Sequence, residues 1–203
     1  SDRPATATIH CGKLILNLNR KFKIGTPRGN RPGCQAQLMP ESYDKSWPDH
    51  PHYVIRPLAR DDYGKGFAAL LSELTTAEFT QEEFHERFDS LAKAAAAGQP
   101  TFCYVAEHIP TQQLAATASC LIELKFIHGT GVVGHVEDVV TSSAHRKKGL
   151  TGRILRALHA AAEREGCYKI ILDCDIHNVP VYLKTGYVLK AVQMARYLPV
   201  SKL

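Results

Sequence analysis

The segment from Arg146 to Gly152 is the part of the sequence best suited to bind an anion. Three basic residues, Arg146, Lys147 and Lys148, precede Gly149-Leu150-Thr151-Gly152, where a helical pattern begins. The first N–H groups of a helix have no partner within it, and the helix dipole favours negative charge there. Glycine lets the backbone approach a ligand closely. The segment predicts a pyrophosphate site; a solvated basic loop is the alternative.

Acidic residues stand in two segments that otherwise have the pattern of strands. Glu137 and Asp138 are consecutive in "GHVEDVVTS", so on a regular strand only one of them can face a given side. Asp173 follows the apolar run "YKIIL", where a charge needs a partner. We expect Glu137 and Asp173 to serve a site, and the alternative is an ordinary solvated or paired charge.

The elements that must position these residues begin at Tyr53. Helices are predicted over 61–74, from a capping box at Thr80 and Glu83 to Gly98, over 149–165, and as a short turn within 178–187. Strands are predicted over 53–58, 101–108, 114–128, 131–142, 168–175 and 188–198. Antiparallel hairpins followed by a βαβ unit indicate a mixed α/β (α+β) fold, a twisted mixed sheet flanked by helices.

Two of these elements carry more detailed predictions. In the helix over 149–165, Leu150, Ile154, Leu158 and Ala161 are expected to face inward. The run 168–175 is almost wholly apolar, which favours a buried central strand.

Residues 1–51 differ in composition from the rest. They hold six of the eleven prolines, and no acidic residue lies between Arg3 and Pro40. One strand is possible in "KLILNLNRKF". We predict a basic extension over 1–51 that wraps the core or is partly disordered, and a domain over 52–203; a mitochondrial transit segment is a weaker alternative.

Charge and composition argue against several partners. The net charge is +5, but residues 51–203 hold seventeen Lys/Arg against sixteen Asp/Glu, so nucleic acid is not an expected partner. No apolar run approaches bilayer length, so no membrane span is expected. The six cysteines show no C-x-x-C pair and are interpreted as reduced thiols of an intracellular protein.

The final tripeptide Ser201-Lys202-Leu203 matches an address that a peroxisomal import receptor reads. It predicts a peroxisome-like organelle, or a glycosome if the source is a kinetoplastid. The alternative is a chance ending and a cytoplasmic location.

The sequence resembles a known family at several separate motifs. Arg146-x-x-Gly149-x-Thr151 is similar to the R/Q-x-x-G-x-G/A loop with which the GNAT acetyltransferase superfamily holds the pyrophosphate of acetyl-CoA, although Thr151 replaces the usual Gly or Ala. The segments "GHVEDVV", "GCYKIILDCD", "NVPVYLKTGY" and "MARYL" resemble the glucosamine-6-phosphate N-acetyltransferase family, from about Tyr53 to Leu198. The resemblance implies a GNAT fold, acetyl-CoA as co-substrate, glucosamine 6-phosphate as acceptor and a homodimer whose chains share the sugar site.

The resemblance also implies roles on the acetyl-CoA side. Tyr182 would protonate the departing thiolate, and Asn178 would hydrogen-bond the cofactor arm. Backbone N–H groups around Val139 would hold pantetheine and the thioester carbonyl. The implied cofactor-binding residues are Val139, Val140, Arg146, Lys147, Lys148, Gly149, Leu150, Thr151, Gly152, Asn178 and Tyr182.

On the acceptor side, the resemblance implies direct attack by the sugar amine in a ternary complex. Glu137, or Asp173 through water, would take the ammonium proton. No cysteine stands beside a base, so an acetyl-enzyme is not favoured. The implied sugar-site residues are Thr75, Lys125, His128, Glu137, Asp138, Tyr168, Lys169, Asp173 and Arg196. Arg196 is the weakest of these, because in some relatives the arginine lies one place later and neighbouring strand residues face opposite sides.

Three further points complete the expectations. No metal is predicted, because His128 and His135 have no second ligand at metal spacing. Another amine, such as a polyamine or peptide, is a rival acceptor, and Lys125 and Lys169 argue for an anionic one instead. A non-catalytic acyl-CoA-binding module is the other rival, against which Tyr182 and the carboxylates argue.

Overall fold

The computed structural model describes Ile9–His10, Lys13–Leu14 and residues 50–198. By its internal contacts the chain divides into two units, residues 1–38 and 39–203. In the first unit, β1 (Ile9–His10) pairs antiparallel with β2 (Lys13–Leu14). The other expectations for residues 1–49, and those for Ser201-Lys202-Leu203, lie outside the described residues.

A five-stranded sheet forms the centre of the second unit, with its strands side by side in chain order. The strands are β3 (Tyr53–Pro57), β4 (Thr101–His108), β5 (Gln113–Leu124), β6 (Val132–Thr141) and β7 (Cys167–Leu172). The first three pairings are antiparallel, and β6 pairs parallel with β7. The predicted mixed sheet is therefore confirmed.

Within residues 50–198 the regular helices are α1 (Phe67–Ser72), α2 (Gln81–Ala96), α3 (Leu150–Arg164) and α4 (Val179–Leu183). A four-residue helical turn, Ile127–Thr130, has non-helical φ/ψ at His128 and Gly129. Short 3₁₀ turns span Asp62–Lys65, Ser143–His145 and Ile176–Asn178. The capping box before α2 is confirmed, since the Thr80 hydroxyl accepts from the Glu83 N–H and the Glu83 carboxylate accepts from the Thr80 N–H.

The single helix predicted over 61–74 is wrong. Gly66 has a left-handed φ of 86° and closes the 3₁₀ turn Asp62–Lys65 before α1 begins. Glycine adopts this conformation at little cost, and the helix is interrupted there. The apolar residues keep a helical spacing across Gly66, although the backbone does not form one helix.

Helix α3 packs against the sheet and forms the main core. Its inward face is as predicted, with Leu150, Ile154, Leu158 and Ala161 all buried. This face packs against a cluster that contains Val136 of β6. Because α3 connects β6 to β7, its burial fixes the start of the helix beside the two parallel strands.

Residues 167–172 do not form a central strand, in contrast to the prediction. Strand β7 has one partner, β6, among the described residues, and Tyr168 and Lys169 are exposed. An apolar run predicts that side chains of the strand are buried, but it does not predict how many other strands pair with it.

Two other predicted strand regions also differ. Strand β5 ends at Leu124 rather than His128, because His128 and Gly129 have left-handed φ values of 55° and 66° that turn the chain. Residues 188–198 pair with no strand within the described residues. Met194 and Tyr197 there are 92% and 93% exposed. This segment therefore has the side-chain pattern of a strand, but no described strand pairs with it.

Within the described ranges, none of the helices is both long and apolar enough to span a membrane.

Candidate active site

Strands β6 and β7 separate at one end, and this opening defines the site. Their pairing runs from Val132–Cys167 to Val136–Leu172. The rest of β6 has no partner on that side in the described part of the chain. Its backbone N–H and C=O groups are therefore available to a ligand that lies between the two strands.

A β-bulge lies where the two strands separate. Thr117 of β5 pairs with Val140 of β6, and Ser119 pairs with Glu137, so Asp138 and Val139 stand opposite one residue. Asp138 has a left-handed φ of 52°, which a short polar side chain tolerates better than most. The bulge breaks the alternation of β6 and leaves Asp138 exposed.

Helix α3 begins beside this opening with unoccupied backbone donors. Gly149 is its N-cap, with a left-handed φ of 72°, and no side chain of the described residues caps the helix. Lys147 is also left-handed, so the chain turns sharply into the helix. The first-turn N–H groups can therefore bind an anion, and the exposed side chains of Arg146 and Lys147 add charge.

Thr151, which replaces the usual Gly or Ala, contacts a side chain of β6. Its hydroxyl lies 3.0 Å from the hydroxyl of Thr141 at the end of β6. This hydrogen bond ties the start of α3 to β6, so the departure from Gly or Ala is accommodated by a neighbouring side chain.

The three basic residues of the loop have different surroundings. Lys148 Nζ lies 2.9 Å from the Tyr53 hydroxyl, which lies 2.8 Å from His145 Nδ1. Burial, with His108 and Lys148 nearby, lowers the pKa of His145, which suits an acceptor for the Tyr53 O–H. Arg146 donates to the Thr141 carbonyl at 3.3 Å. Lys148 is thus held by a tyrosine that the sequence analysis did not connect with the loop.

Tyr182 lies in α4, which follows β7. Its side chain is half-buried and packs against the core cluster that Val139 also contacts. Burial raises the pKa of Tyr182 to about 12, with Cys174 adding to the effect. The phenol therefore keeps its proton at neutral pH, as a proton donor must. Asn178 is the N-cap residue of α4 and is half-buried.

The predicted carboxylates Glu137 and Asp173 come together. Each directly follows the last β6–β7 pair, Val136 and Leu172, and equivalent ends of parallel strands lie side by side. His135 lies between their side chains, with Nε2 3.1 Å from Glu137 Oε1 and 3.6 Å from Asp173 Oδ2. The structure thus adds His135 to the site; its signal in the sequence was its i, i+2 spacing from Glu137 on a strand.

The donor atoms of these three residues lie within 4.8 Å of one another. A cation could also occupy such a space, so the absence of a metal remains a prediction. Sequence spacing could not detect this cluster, because Asp173 directly follows β7 whereas the other two residues lie on β6.

A second group of predicted sugar-site residues surrounds the turn after β5. The rings of His128 and Tyr168 lie 4.7 Å apart, and Lys169 Nζ lies 5.6 Å from the centre of the Tyr168 ring. Lys125 forms an ion pair with Glu123, whose carboxylate also reaches His135. Glu123 therefore connects this group to the carboxylate cluster.

Two predicted residues are not brought into the cluster. Within residues 50–198, no hydrogen bond or ion pair joins Thr75 or Arg196 to the carboxylates, and both side chains are exposed. Gln193, which the sequence analysis did not select, donates to Asp173 Oδ2 at 3.1 Å. The segment after Tyr187 thus contacts the site through Gln193.

Comparison with known proteins agrees with this geometry. The profile described as "Acetyltransferase (GNAT) family" matches residues 65–187. A Dictyostelium discoideum protein named glucosamine 6-phosphate N-acetyltransferase 1 is 42% identical over 145 residues, which cover 71% of this chain and 90% of the relative. The rice protein of the same name (Oryza sativa subsp. japonica) is 44% identical over 146 residues, or 71% of this chain and 87% of its own.

A solved structure shows the same fold. The crystal structure of glucosamine-6-phosphate N-acetyltransferase from Arabidopsis thaliana is 38% identical and has a TM-score of 0.68. The match covers 71% of this chain and 97% of that one. The opening between β6 and β7, the uncapped start of α3 and these similarities lead to one conclusion: this chain belongs to the GNAT acetyltransferase family.

Proposed function

We propose that this protein transfers the acetyl group of acetyl-CoA to the amine of glucosamine 6-phosphate, giving N-acetylglucosamine 6-phosphate and coenzyme A. The observation that carries the proposal is the meeting of Glu137 and Asp173 where β6 and β7 separate. A carboxylate there can take a proton from an ammonium beside the free edge of β6. The names of the relatives support this acceptor.

Acetyl-CoA is bound on the β6 and α3 side of the opening. The N–H groups at the start of α3, with Arg146 and Lys147, take the pyrophosphate. The unpaired backbone of β6 after Val136 takes the pantetheine amides. An N–H of the same edge polarises the thioester carbonyl, where negative charge develops in the transition state.

The reaction proceeds by direct attack. The amine reaches the enzyme largely as an ammonium, and loss of its proton to Glu137, or to Asp173 through water, frees the lone pair. That lone pair forms the C–N bond, and the C–S bond breaks as the tetrahedral centre collapses. Tyr182 donates its O–H proton to the departing sulfur. The nitrogen loses its second proton as it becomes an amide, and that proton restores the Tyr182 phenol.

The high pKa of Tyr182 is compatible with this role. A phenol at about 12 would be a poor donor to a thiolate in water, whose pKa is about 8.5. Burial acts on thiols in the same direction, however: it raises the pKa of Cys103 to about 11. Burial of the departing sulfur beside Tyr182 would raise the pKa of that thiol as well, so the donor and the acceptor would shift in the same direction.

Lys125 and Lys169 are proposed to bind the 6-phosphate as point charges. Both belong to the group around the turn after β5, which Glu123 connects to the carboxylates. A phosphate held there would place the sugar next to Glu137.

The direct test is identification of the product. Wild type with acetyl-CoA and glucosamine 6-phosphate should give a product 42 Da heavier, the mass of a transferred acetyl group, on the sugar nitrogen by NMR. Glu137→Gln should lower kcat by about 10²–10⁴-fold if Glu137 is the base, whereas the exposed Glu82→Gln should not. Transfer to water alone would contradict the proposal.

We also propose a homodimer whose chains share the sugar site. Strand β7 is an edge strand among the described residues, and residues 188–198 expose apolar side chains, including Val192, Met194 and Leu198. A second copy would cover them. Sedimentation should show a dimer, and Val192→Asp with Met194→Asp should give a monomer, whereas Lys190→Gln should not. A monomeric wild type would contradict this part of the proposal.

A further inference from the structure

The side chain of His135 has a different acidic environment at each ring nitrogen. Its Nδ1 lies 2.8 Å from Glu123 Oε1. Its Nε2 lies 3.1 Å from Glu137 Oε1 and 3.6 Å from Asp173 Oδ2. The side chain is 21% exposed, and the ring connects Glu123 with the two carboxylates that are proposed to face the acceptor.

Glu123 determines which nitrogen of the ring carries a proton. The pKa of Glu123 is below its usual value, first because Lys125 hydrogen-bonds to it and also because of His135. An ionised carboxylate can only accept hydrogen bonds. Nδ1 must therefore be the donor, and the second proton of the ring can be gained or lost only at Nε2.

The surroundings of Nε2 favour a shared proton. The atom itself is buried and makes no well-aligned hydrogen bond within the described residues, although two carboxylates lie close to it. The lone pair at Nε2 is therefore an acceptor within 3.1 Å of Glu137 Oε1 and 3.6 Å of Asp173 Oδ2. The other neighbour of Asp173 is Gln193, a neutral donor. The charged groups around the ring are thus Glu123, Lys125, Glu137 and Asp173.

We propose that His135 is a positioning residue for Glu137, and that it receives at Nε2 the proton that Glu137 removes from the acceptor ammonium, while Glu123 fixes its tautomer. This inference rests on the proposed function. First, the N–H bond of the ammonium breaks and an O–H bond forms on Glu137. Then that O–H bond breaks and an N–H bond forms at Nε2. The imidazolium lies among three carboxylates, and Glu137 is again a base.

The relay has a consequence that a structural role would not have. It is needed only while the amine carries a proton. Loss of His135 should therefore slow the reaction below the pKa of the amine and have little effect above it, where the amine arrives neutral.

The test is the pH profile of kcat for His135→Gln. The glutamine amide can keep a donor near Glu137 but cannot accept a proton. We expect kcat to fall at least tenfold at pH 6.5 and to come within about threefold of wild type at pH 9. Glu123→Gln should show the same trend to a smaller degree. His85→Gln is the matched control: His85 is a half-buried histidine of α2 whose Nε2 lies 3.1 Å from the Arg60 carbonyl, and this variant should follow wild type throughout.

Two results would overturn the inference: an unchanged kcat for His135→Gln, or a loss equal at both pH values. Absence of turnover of glucosamine 6-phosphate by wild type would instead overturn the proposed function. The tautomer can then still be tested by ¹⁵N NMR of the imidazole. Wild type should show a protonated Nδ1 and Glu123→Gln a mixture of tautomers; a protonated Nε2 with a bare Nδ1 in wild type would contradict the relay.

Discussion

At the scale of single residues, the proposed proton donor of the site is more buried than the proposed proton acceptors. Tyr182 is held against the core, which keeps its phenol protonated. The side chains of Glu137 and Asp173 are 44% and 39% exposed, so they remain in contact with water. Opposite environments for the groups that give and take protons are typical of acid–base sites.

Replacing Tyr182 with Phe tests the donor. The variant keeps the ring in the core and removes only the O–H. Since the hydroxyl acts on the departing sulfur, kcat should fall by about 10²–10⁴-fold with little change in acetyl-CoA affinity. Tyr187→Phe serves as a control for loss of a neighbouring hydroxyl. Steady-state kinetics within about twofold of wild type would show that solvent protonates the thiolate.

Tyr53→Phe tests how Lys148 is positioned. The Tyr53 hydroxyl joins Lys148 to His145, and its loss frees the lysine at the edge of the anion site. We expect the KM for acetyl-CoA to change by about threefold or more, with kcat within twofold of wild type, because the reacting atoms are not touched. An unchanged KM would show that this hydrogen bond does not position the loop.

At the scale of elements, the geometry depends on the end of β6 and the start of α3. Sequence reasoning predicted both, because the apolar period and the basic, glycine-containing loop are local signals. It could not predict the bulge at Asp138, since this depends on the register between β5 and β6. It also missed the connection from Glu123 to His135 to Glu137, because strand pairing brings those side chains together.

Gly149 provides the test of the helix start. Its left-handed φ of 72° costs other residues about 1–2 kcal/mol, and a β-branched residue is among the least suited. Gly149→Val should weaken acetyl-CoA binding at least tenfold by calorimetry. Asparagine tolerates this conformation, so Gly149→Asn should bind more tightly than Gly149→Val. Equal acetyl-CoA affinities for wild type, Gly149→Val and Gly149→Asn would show that this loop does not bind acetyl-CoA.

His159 of α3 makes stability depend on pH. Burial lowers its pKa to about 4, and its Nε2 lies 2.8 Å from the Tyr187 hydroxyl. Between pH 6.5 and about 4 the unfolded chain binds this proton and the folded protein does not, so stability falls as pH falls through that window. Over this whole window the free energy of unfolding falls by about 3 kcal/mol. Chemical denaturation should show a smaller difference in unfolding free energy between pH 7 and pH 5 for His159→Gln than for wild type. An equal difference in the two proteins would show that His159 is not the cause.

At the scale of the whole molecule, the mixed sheet and the order of the helices were predictable because apolar residues recur within each element at the spacing of a strand or a helix. Two of the three strand errors concern pairing rather than pattern. Residues 167–172 are apolar yet lie at an edge, and residues 188–198 have no strand partner in the described chain. The resemblance implied a homodimer, but the strand patterns themselves do not indicate which segments a second copy would cover. The targeting expectation for Ser201-Lys202-Leu203 stays a prediction.

The most direct test of the central claim is acceptor preference. Thiol release from acetyl-CoA should be measured with glucosamine 6-phosphate, glucosamine and spermidine under the same conditions. We predict the highest kcat/KM for glucosamine 6-phosphate, at least 100-fold above glucosamine, because Lys125 and Lys169 would bind its phosphate through charge-assisted hydrogen bonds of about 1.5–3 kcal/mol each. A higher kcat/KM for spermidine, or no turnover of glucosamine 6-phosphate, would contradict the account.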